Sequence, residues 1–352
     1  MTLEQAISAV CPPCEQSRVA ANKRFSDIAM PLDSLGLLQD AVVQIAAIRC
    51  TVRPSIAKRA VVMFCADNGV VAQGVTQCGQ EVTATVTENM GRGQSAVCLM
   101  ARHIGMDSFP VDIGVARDVQ GERILHRKIR YGTADMTQEP AMTREEAVRA
   151  VEVGIALAEW CAAQGYDLLC GGEMGIGNTT TSAAGTAALT DADVETVTGR
   201  GAGLSSAGLE RKVRAIQTAL ALHRPDPNDP LDVLHKVGGL DIAGLAGFYL
   251  GAAACGLPVV LDGVISCTAA LVAVRLCPAV RGYLLAGHRS EEPAGALLLR
   301  ELALSPFIIA GMRLGEGTGA VAAVSLLDLV FAAYDGMPSF AEAGVEAYQP
   351  LK

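Results

Sequence analysis

Two glutamates of this 352-residue chain are embedded in glycine, a setting in which a carboxylate can do chemistry. Glu173 stands in the run Gly-Gly-Glu-Met-Gly-Ile-Gly, and Glu316 stands in Gly-Glu-Gly-Thr-Gly. Glycine lets the backbone turn tightly and approach another group closely. Paired carboxylates in a cleft can take a proton from one group and stabilise positive charge on another. A glutamate that opens a helix can instead merely accept hydrogen bonds from the first amides, so this structural alternative stays open for each residue.

A glycine-rich turn begins just after the first glutamate and is typical of an anion site. It contains Gly175, Gly177, Asn178, Thr179 and Thr180. The free N–H groups and the dipole of a helix N-terminus bind phosphate. The turn lacks the Gly-Lys-Ser/Thr ending of a Walker A loop, and it lacks the third glycine of the dinucleotide fingerprint. Segment 199–203, followed by Arg211 and Lys212, adds positive charge, although such a segment is more often a loop and a solvated helix face.

Metal and serine-nucleophile chemistry find little support in the sequence. The five histidines show no ligand spacing, and the pair Cys11 and Cys14 has no second pair that would complete a zinc site. The Gly-x-Ser-x-Gly elbow of a serine hydrolase is missing. The residues therefore predict an enzyme that acts on a small phosphorylated ligand through carboxylates.

Composition and charge exclude several classes of protein. The chain is 51% hydrophobic and 18% charged, which predicts a large folded core. A net charge of −9 without a basic stripe argues against nucleic-acid binding. The N-terminus lacks a signal-peptide pattern and the 11 cysteines are scattered, which favours the cytoplasm. The uncharged stretch 242–261 is long enough to cross a membrane, but its glycines and missing basic flanks favour a buried helix, a turn and a strand.

Apolar runs alternate with helical patterns along the chain. The runs predict strands at 61–65, 109–115, 166–170, 258–262, 281–286 and, shorter, 306–310. The patterns predict helices at 3–10, toward 29, and at 34–50, 81–104, 143–163, 179–189, 206–222, 240–255, 263–276, 291–303 and 320–333. Strands joined by crossover helices predict an α/β fold with a doubly wound parallel sheet. Five polar loops follow apolar runs, and we expect them to meet at the carboxyl edge of the sheet, where such folds bind ligands. Segment 225–230 is predicted to be a plain surface loop.

Longer strings resemble those of one family. The run Gly171-Gly172-Glu173-Met174-Gly175-Ile176-Gly177-Asn178-Thr179-Thr180 resembles the signature of the nicotinate-nucleotide:dimethylbenzimidazole phosphoribosyltransferases, which activate the lower-ligand base of cobamides. Further similar strings lie at 66–71, 74–75, 81–83, 199–201, 262–263, 287–292 and 313–319. The resemblance thus covers nearly the whole chain.

The resemblance implies a pentosyltransferase that moves 5-phosphoribose from nicotinate mononucleotide to a nitrogen of an aromatic base, giving an α-ribotide and nicotinate. Glu316 matches the family's proposed general base, and Glu173 matches its second active-site carboxylate. The residues implied in phosphate and ribose binding are Gly175, Gly177, Asn178, Thr179, Thr180, Gly201, Gly203, Lys212 and Ser290. Those implied in base binding are Asp67, Asn68, Thr76, Gln77, Cys78 and Leu314. No cofactor and no metal is expected.

The resemblance also implies how the chain is organised. A large Rossmann-like domain is expected over 59–334, and a small helical domain over 1–58, on which the C-terminal segment 335–352 packs. The expected assembly is a homodimer or a heterodimer with a paralogous subunit. Neither nucleic acid nor membrane is an expected partner.

Three segments depart from the family pattern near the base. Asp67-Asn68-Gly69 stands where the family usually has Asp-His-Gly, and segment 76–80 stands where it has Ser-Ala-aromatic-Pro. The glutamine expected soon after Glu-Val-Thr is absent from 84–86. Loss of an aromatic wall and of a polar contact leads us to expect an altered base preference, and the expected bases are dimethylbenzimidazole, a purine or a phenolic base. The alternative is a catalytically weak partner subunit of a heterodimeric enzyme, against which the two intact glutamates argue.

Overall fold

The strands form one parallel sheet. A computed structural model describes residues 1–348, within which the chain forms six strands: β1 (Arg59–Ala66), β2 (Asp107–Gly114), β3 (Leu125–His126), β4 (Leu168–Met174), β5 (Val259–Leu261) and β6 (Leu284–Ala286). They are parallel and lie in the order β3-β2-β1-β4-β5-β6, so the predicted doubly wound α/β class is confirmed. Because the strand order reverses between β1 and β4, a crevice opens beyond their carboxyl ends.

Helices cover both faces of the sheet. They are α1 (Leu3–Ala9), α2 (Glu15–Asp27), α3 (Leu37–Ile48), α4 (Glu81–Gly91), α5 (Ala96–His103), α6 (Arg144–Ala163), α7 (Asn178–Thr190), α8 (Val194–Val197), α9 (Ser206–His223), α10 (Pro230–Val237), α11 (Leu240–Ala254), α12 (Val264–Leu276), α13 (Ala294–Glu301), α14 (Thr318–Gly336) and α15 (Phe340–Ala343). Helix α7 follows β4 and α12 follows β5, so their N-termini lie at the carboxyl edge of the sheet.

Glycine packing explains the uncharged stretch that could be mistaken for a membrane span. Helix α11 is buried along its length between α6 and the sheet. A Cβ on Gly154 of α6 would come within 2.0 Å of the Gly244 carbonyl oxygen, and one on Gly247 within 1.9 Å of the Val151 carbonyl oxygen. The two helix backbones therefore meet directly. Within the described residues, α14 alone has the length and apolar composition of a membrane span, and half of it is buried in this fold.

Several predicted elements differ from the observed ones. The predicted helix 81–104 is divided into α4 and α5, because Gly93 adopts a left-handed φ of +71° and Ser95 starts a new helix by accepting the Cys98 N–H. Segment 306–310 makes one isolated bridge, Ile308 to His288, and no strand. The first half of the predicted strand 281–286 belongs to the 3-10 helix Pro278–Tyr283. Strand β3 and helices α8 and α10 are not among the predicted elements. Helix α10 begins at Pro230, the last residue of the expected surface loop.

The N-terminal helices pack on the end of the chain. Helix α3 lies against α14, and Ile28 forms an antiparallel bridge with Ser339. The Ala29 N–H donates to the Pro338 carbonyl over 3.0 Å. Residues 349–352 of the predicted C-terminal segment lie outside the described residues. The division into a domain of 59–334 and a smaller one of 1–58 with 335–352 stays a prediction.

Candidate functional site

A cleft with a volume of about 180 Å³ opens at the carboxyl edge of the sheet. Loops after β4, β5 and β6 and the turn before α14 line it, together with segment 75–78. Of the residues proposed from sequence, the cleft is lined by Glu173, Glu316, Gly175, Gly177, Asn178, Thr179, Gly201, Ser290, Thr76, Gln77, Cys78 and Leu314.

Glu173 lies at the end of β4 and is held by an amide. The Asn178 Nδ2 group donates one hydrogen bond to Glu173 Oε2 and a second to Asp241 Oδ2, the latter over 3.0 Å. Asp241 is fully buried at the start of α11. Burial first, then the charge of Asp241, raises the pKa of Glu173 to about 8. Burial likewise raises the pKa of Asp241 to about 6. Each of the two carboxyls therefore keeps its proton up to a higher pH than an exposed carboxyl would.

Glu316 occupies a strained turn beside the first glutamate. Its φ is +63°, between Gly315 at +87° and Gly317 at +102°, so three successive residues are left-handed. Such a φ is costly for a residue with a side chain. The Glu316 N–H donates to Glu173 Oε1 over 3.4 Å, and Glu316 Oε2 accepts from the Val97 N–H over 3.2 Å at the start of α5. Burial raises the pKa of this half-buried carboxyl.

Asp262, at the end of β5, fixes this turn. Its Oδ2 accepts from the Gly317 N–H over 3.0 Å, and its Oδ1 accepts from the Gly319 and Ala320 N–H groups over 2.7 and 3.3 Å. His288 Nε2 lies 3.4 Å from Oδ1. Asp262 and His288 line the cleft but are missing from the residues proposed above. Their signal was present, because each follows an apolar run at the ligand-binding edge.

The N-terminus of α7 forms the polar end of the cleft. Gly177, with a φ of +94°, precedes the helix, and Thr179 lies in its first turn. Lys212 is buried behind it and donates to Thr179 Oγ1 over 2.8 Å and to the Gly199 carbonyl over 2.9 Å. Burial lowers the pKa of Lys212 to about 8. A helix N-terminus with a lysine beneath it is suited to an anion.

Three loops lie beside this end of the cleft. The Gly201 N–H donates to Glu292 Oε1 over 3.1 Å, and the Glu292 N–H donates to Ser290 Oγ over 3.3 Å. Gln77 Nε2 donates to the Gly203 carbonyl, and Thr76 Oγ1 donates to the Cys78 carbonyl over 2.8 Å. The wall also has apolar surface, which comes from Val75, Leu204, Val264, Ile265 and Leu314.

Five proposed residues lie behind or beside the cleft instead of lining it: Asp67, Asn68, Thr180, Gly203 and Lys212. Asp67 is buried and its Oδ2 accepts from the Ala116 N–H over 2.7 Å. Asn68 is buried and donates to the Ile176 carbonyl over 3.4 Å, so it supports the glycine-rich turn from below. Thr180 Oγ1 is buried and has no partner among the described residues. These positions favour support of the cleft over direct contact with a ligand.

The chain is similar over most of its length to known proteins. A family model described as "Phosphoribosyltransferase" matches residues 10–345. The nicotinate-nucleotide–dimethylbenzimidazole phosphoribosyltransferase of Acetivibrio thermocellus is 47% identical over 93% of this chain and 93% of its own length. The protein of the same name from Chloroflexus aggregans is 48% identical over 97% of this chain and 98% of its own. The crystal structure of CobT from Thermus thermophilus superposes with a TM-score of 0.90 at 40% identity, over 95% of this chain and 100% of that one.

Proposed function

The chain belongs to this phosphoribosyltransferase family, and from that premise we propose how its cleft performs the reaction. The enzyme transfers 5-phosphoribose from nicotinate mononucleotide to an aromatic base, giving an α-ribotide for the lower ligand of cobamides and releasing nicotinate. One observation supports the proposed site: Glu316 and Glu173 meet through an N–H···O bond in a cleft that the N-terminus of α7 also lines. A catalytically weak partner subunit is not favoured, since both glutamates line the cleft.

We propose that Glu316 is the general base. When the base nitrogen attacks C1′ of the ribose, the bond from C1′ to the nicotinate nitrogen breaks and the sugar acquires oxocarbenium character. The ring of the attacking base, now positively charged, then loses its N–H proton, which the Glu316 carboxylate accepts. Because burial raises its pKa, this carboxylate holds a proton better than an exposed one. Nicotinate leaves as a neutralised pyridine ring, so the departing group needs no acid.

Glu173 is proposed as a positioning residue for Glu316. Its Oε1 accepts the Glu316 N–H and its Oε2 accepts the Asn178 amide, so one carboxyl joins the turn before α14 to the start of α7. With a pKa of about 8 it is mostly protonated at neutral pH in the free enzyme. It therefore orders the two loops without placing a full negative charge beside the general base.

We propose that the phosphate binds at the start of α7. Gly175, Gly177, Asn178 and Thr179 of this turn line the cleft, and the buried Lys212 donates to Thr179 Oγ1. Binding of a phosphate would raise the pKa of Lys212, because a nearby negative charge favours its ammonium form. Gly201 and Ser290 also line the cleft, and Gly201 lies next to Thr179.

The base is proposed to bind against Thr76, Gln77, Cys78 and Leu314, all of which line the cleft. No aromatic residue stands in segment 75–78, which supports a preference for a base other than dimethylbenzimidazole. Nicotinate release should be measured with dimethylbenzimidazole, adenine and phenol at equal concentrations. Clear preference for dimethylbenzimidazole would contradict the altered specificity, and absence of nicotinate release with every base would contradict the activity.

We further propose that the enzyme is a dimer located in the cytoplasm. The family resemblance supports the dimer, and the scattered cysteines of the chain support the cytoplasm. Light scattering of the purified chain, alone and after co-expression with any paralogous subunit of the host, would separate a homodimer from a heterodimer. A monomer under both conditions would contradict the proposed assembly.

A further inference from the structure

Two surface cysteines far apart in sequence meet at a single carbonyl. The Cys14 N–H donates to the Ala47 carbonyl over 2.9 Å, and the Cys50 N–H donates to the same oxygen over 3.3 Å. Cys50 Sγ lies 3.8 Å from that oxygen, so the shared carbonyl makes Cys14 and Cys50 neighbours in the fold. Cys14 is half-buried and Cys50 is exposed, so small molecules can reach the pair.

The two thiols differ in a way that suits thiol–disulfide exchange. Cys14 is the N-cap of α2, and hydrogen bonding from Ser17 lowers the pKa of its thiol. A helix N-terminus favours the thiolate, which is the nucleophile in such exchange. Burial and the neighbouring Cys14 raise the pKa of Cys50. Cys50 also adopts a φ of +50°, where glycine is the usual residue at a helix end.

We propose that Cys14 and Cys50 form a reversible disulfide with a low-molecular-weight disulfide as the oxidant. The Cys14 thiolate attacks one sulfur of the oxidant, forms a mixed disulfide and releases one thiol. The Cys50 thiolate then attacks Cys14 Sγ and releases the second thiol. In balance, two protein thiols are oxidised to one disulfide and one small disulfide is reduced to two thiols.

The disulfide braces the N-terminal helices. It closes a loop over residues 15–49, which holds α2 and α3, and α3 packs on α14. A cross-link of this kind stabilises the fold by restricting the unfolded chain. Because the Cys14 and Cys50 pair lies outside the cleft, the proposal does not depend on the function assigned to the cleft.

Peptide mapping tests the pairing directly. Purified protein is equilibrated with oxidised glutathione, blocked with N-ethylmaleimide, denatured and digested with trypsin. Cys14 falls in peptide 1–18 and Cys50 in peptide 50–58, so the disulfide joins two peptides. We expect the joined pair in the wild type and in Cys11→Ser, its loss in Cys50→Ser, and its disappearance after reduction.

Three results would overturn the proposal. Peptide 1–18 lighter by two hydrogens shows that Cys11 and Cys14 pair instead. A stable glutathione adduct on Cys14 shows that Cys50 does not resolve it, and full alkylation of both thiols shows that neither reacts. Thermal unfolding provides an independent measurement. Oxidation should raise the Tm of the wild type by about 5 °C more than it raises the Tm of Cys50→Gly. Glycine suits the left-handed φ at that position, so this variant is expected to fold.

Discussion

Glu173 and Glu316 lie in the same cleft on supports of opposite kinds. Glu173 ends a buried strand, is 6% exposed, and receives hydrogen bonds on both oxygens. Glu316 is half-buried on a turn of three left-handed residues, and among the described residues its carboxylate accepts one N–H, from Val97. Burial and the charge of Asp241 favour the protonated form of Glu173 and outweigh the two hydrogen bonds, which favour its carboxylate, whereas the more exposed Glu316 can exchange a proton. The contrast teaches that two carboxylates in one cleft can take different roles because of their surroundings alone.

The largest effect should come from Glu316→Gln. Removing the general base should lower kcat by about a thousandfold with little change in the KM of nicotinate mononucleotide, because the amide keeps the shape but cannot accept the proton. Steady-state nicotinate release measures both constants. Glu210→Gln, an exposed change on α9, is the matched control and should leave both constants unchanged. Activity within threefold of wild type in Glu316→Gln would remove the distinction between the two carboxylates.

Gly315→Ala should have the next largest effect, because it disturbs both glutamates together. The φ of Gly315 is +87°, and a Cβ there would lie 2.6 Å from Glu173 Oε1. We expect kcat to fall about 10- to 100-fold as the turn moves, together with a loss of about 1–3 kcal/mol in the free energy of unfolding.

Gly105→Ala is the matched control for backbone strain. Its φ is +67°, and a Cβ there meets nothing within 4 Å. Urea unfolding should show a loss of stability in both variants, with a loss of kcat in Gly315→Ala alone. Equal kcat values in the two variants would show that the two glutamates are not coupled through the turn.

The sequence identified the two glutamates as candidate site residues, but it did not show why their surroundings differ. Glu173 and Glu316 could be predicted because glycines flank them and apolar runs precede their loops. Asp241 could not, because it opens a helix and only the folded chain brings it to the Asn178 amide. The long strands were predictable because buried parallel strands read as continuous apolar runs. Strand β3 was not, since Leu125–His126 is too short to carry a pattern.

Glu173→Gln should have a smaller effect on catalysis than either change to the turn. At pH 7 a carboxyl with a pKa of about 8 is protonated about ten to one, and glutamine resembles that neutral form. We expect kcat to stay within about tenfold of wild type at pH 7. A loss as large as that of Glu316→Gln would show that the charge of Glu173 is used in the reaction.

The same variant should change how stability depends on pH. The native pKa of Glu173, about 8, lies above the ordinary value of 4.5, so the native state binds this proton more tightly than the unfolded state. The stability it contributes is complete below about pH 4.5 and is lost as the pH rises through 8. Glutamine does not titrate. Urea unfolding at pH 5 and at pH 8 should therefore show that the free energy of unfolding of Glu173→Gln rises relative to that of wild type at the higher pH.

The smallest and most specific effect is expected from Asp241→Asn. The charge of Asp241 helps to raise the pKa of Glu173, so its removal should lower that pKa. The substitution also removes the Asp241 carboxyl itself, whose pKa is raised to about 6. The decline of stability between pH 5 and pH 8 should become shallower than in wild type, while Asp40→Asn, an exposed control on α3, keeps the wild-type slope.

In the double variant with Glu173→Gln the effects on the slope should be less than additive, because each change removes the same interaction. Additive slopes would mean that Asn178 and Asp241 hold Glu173 in place without setting its protonation.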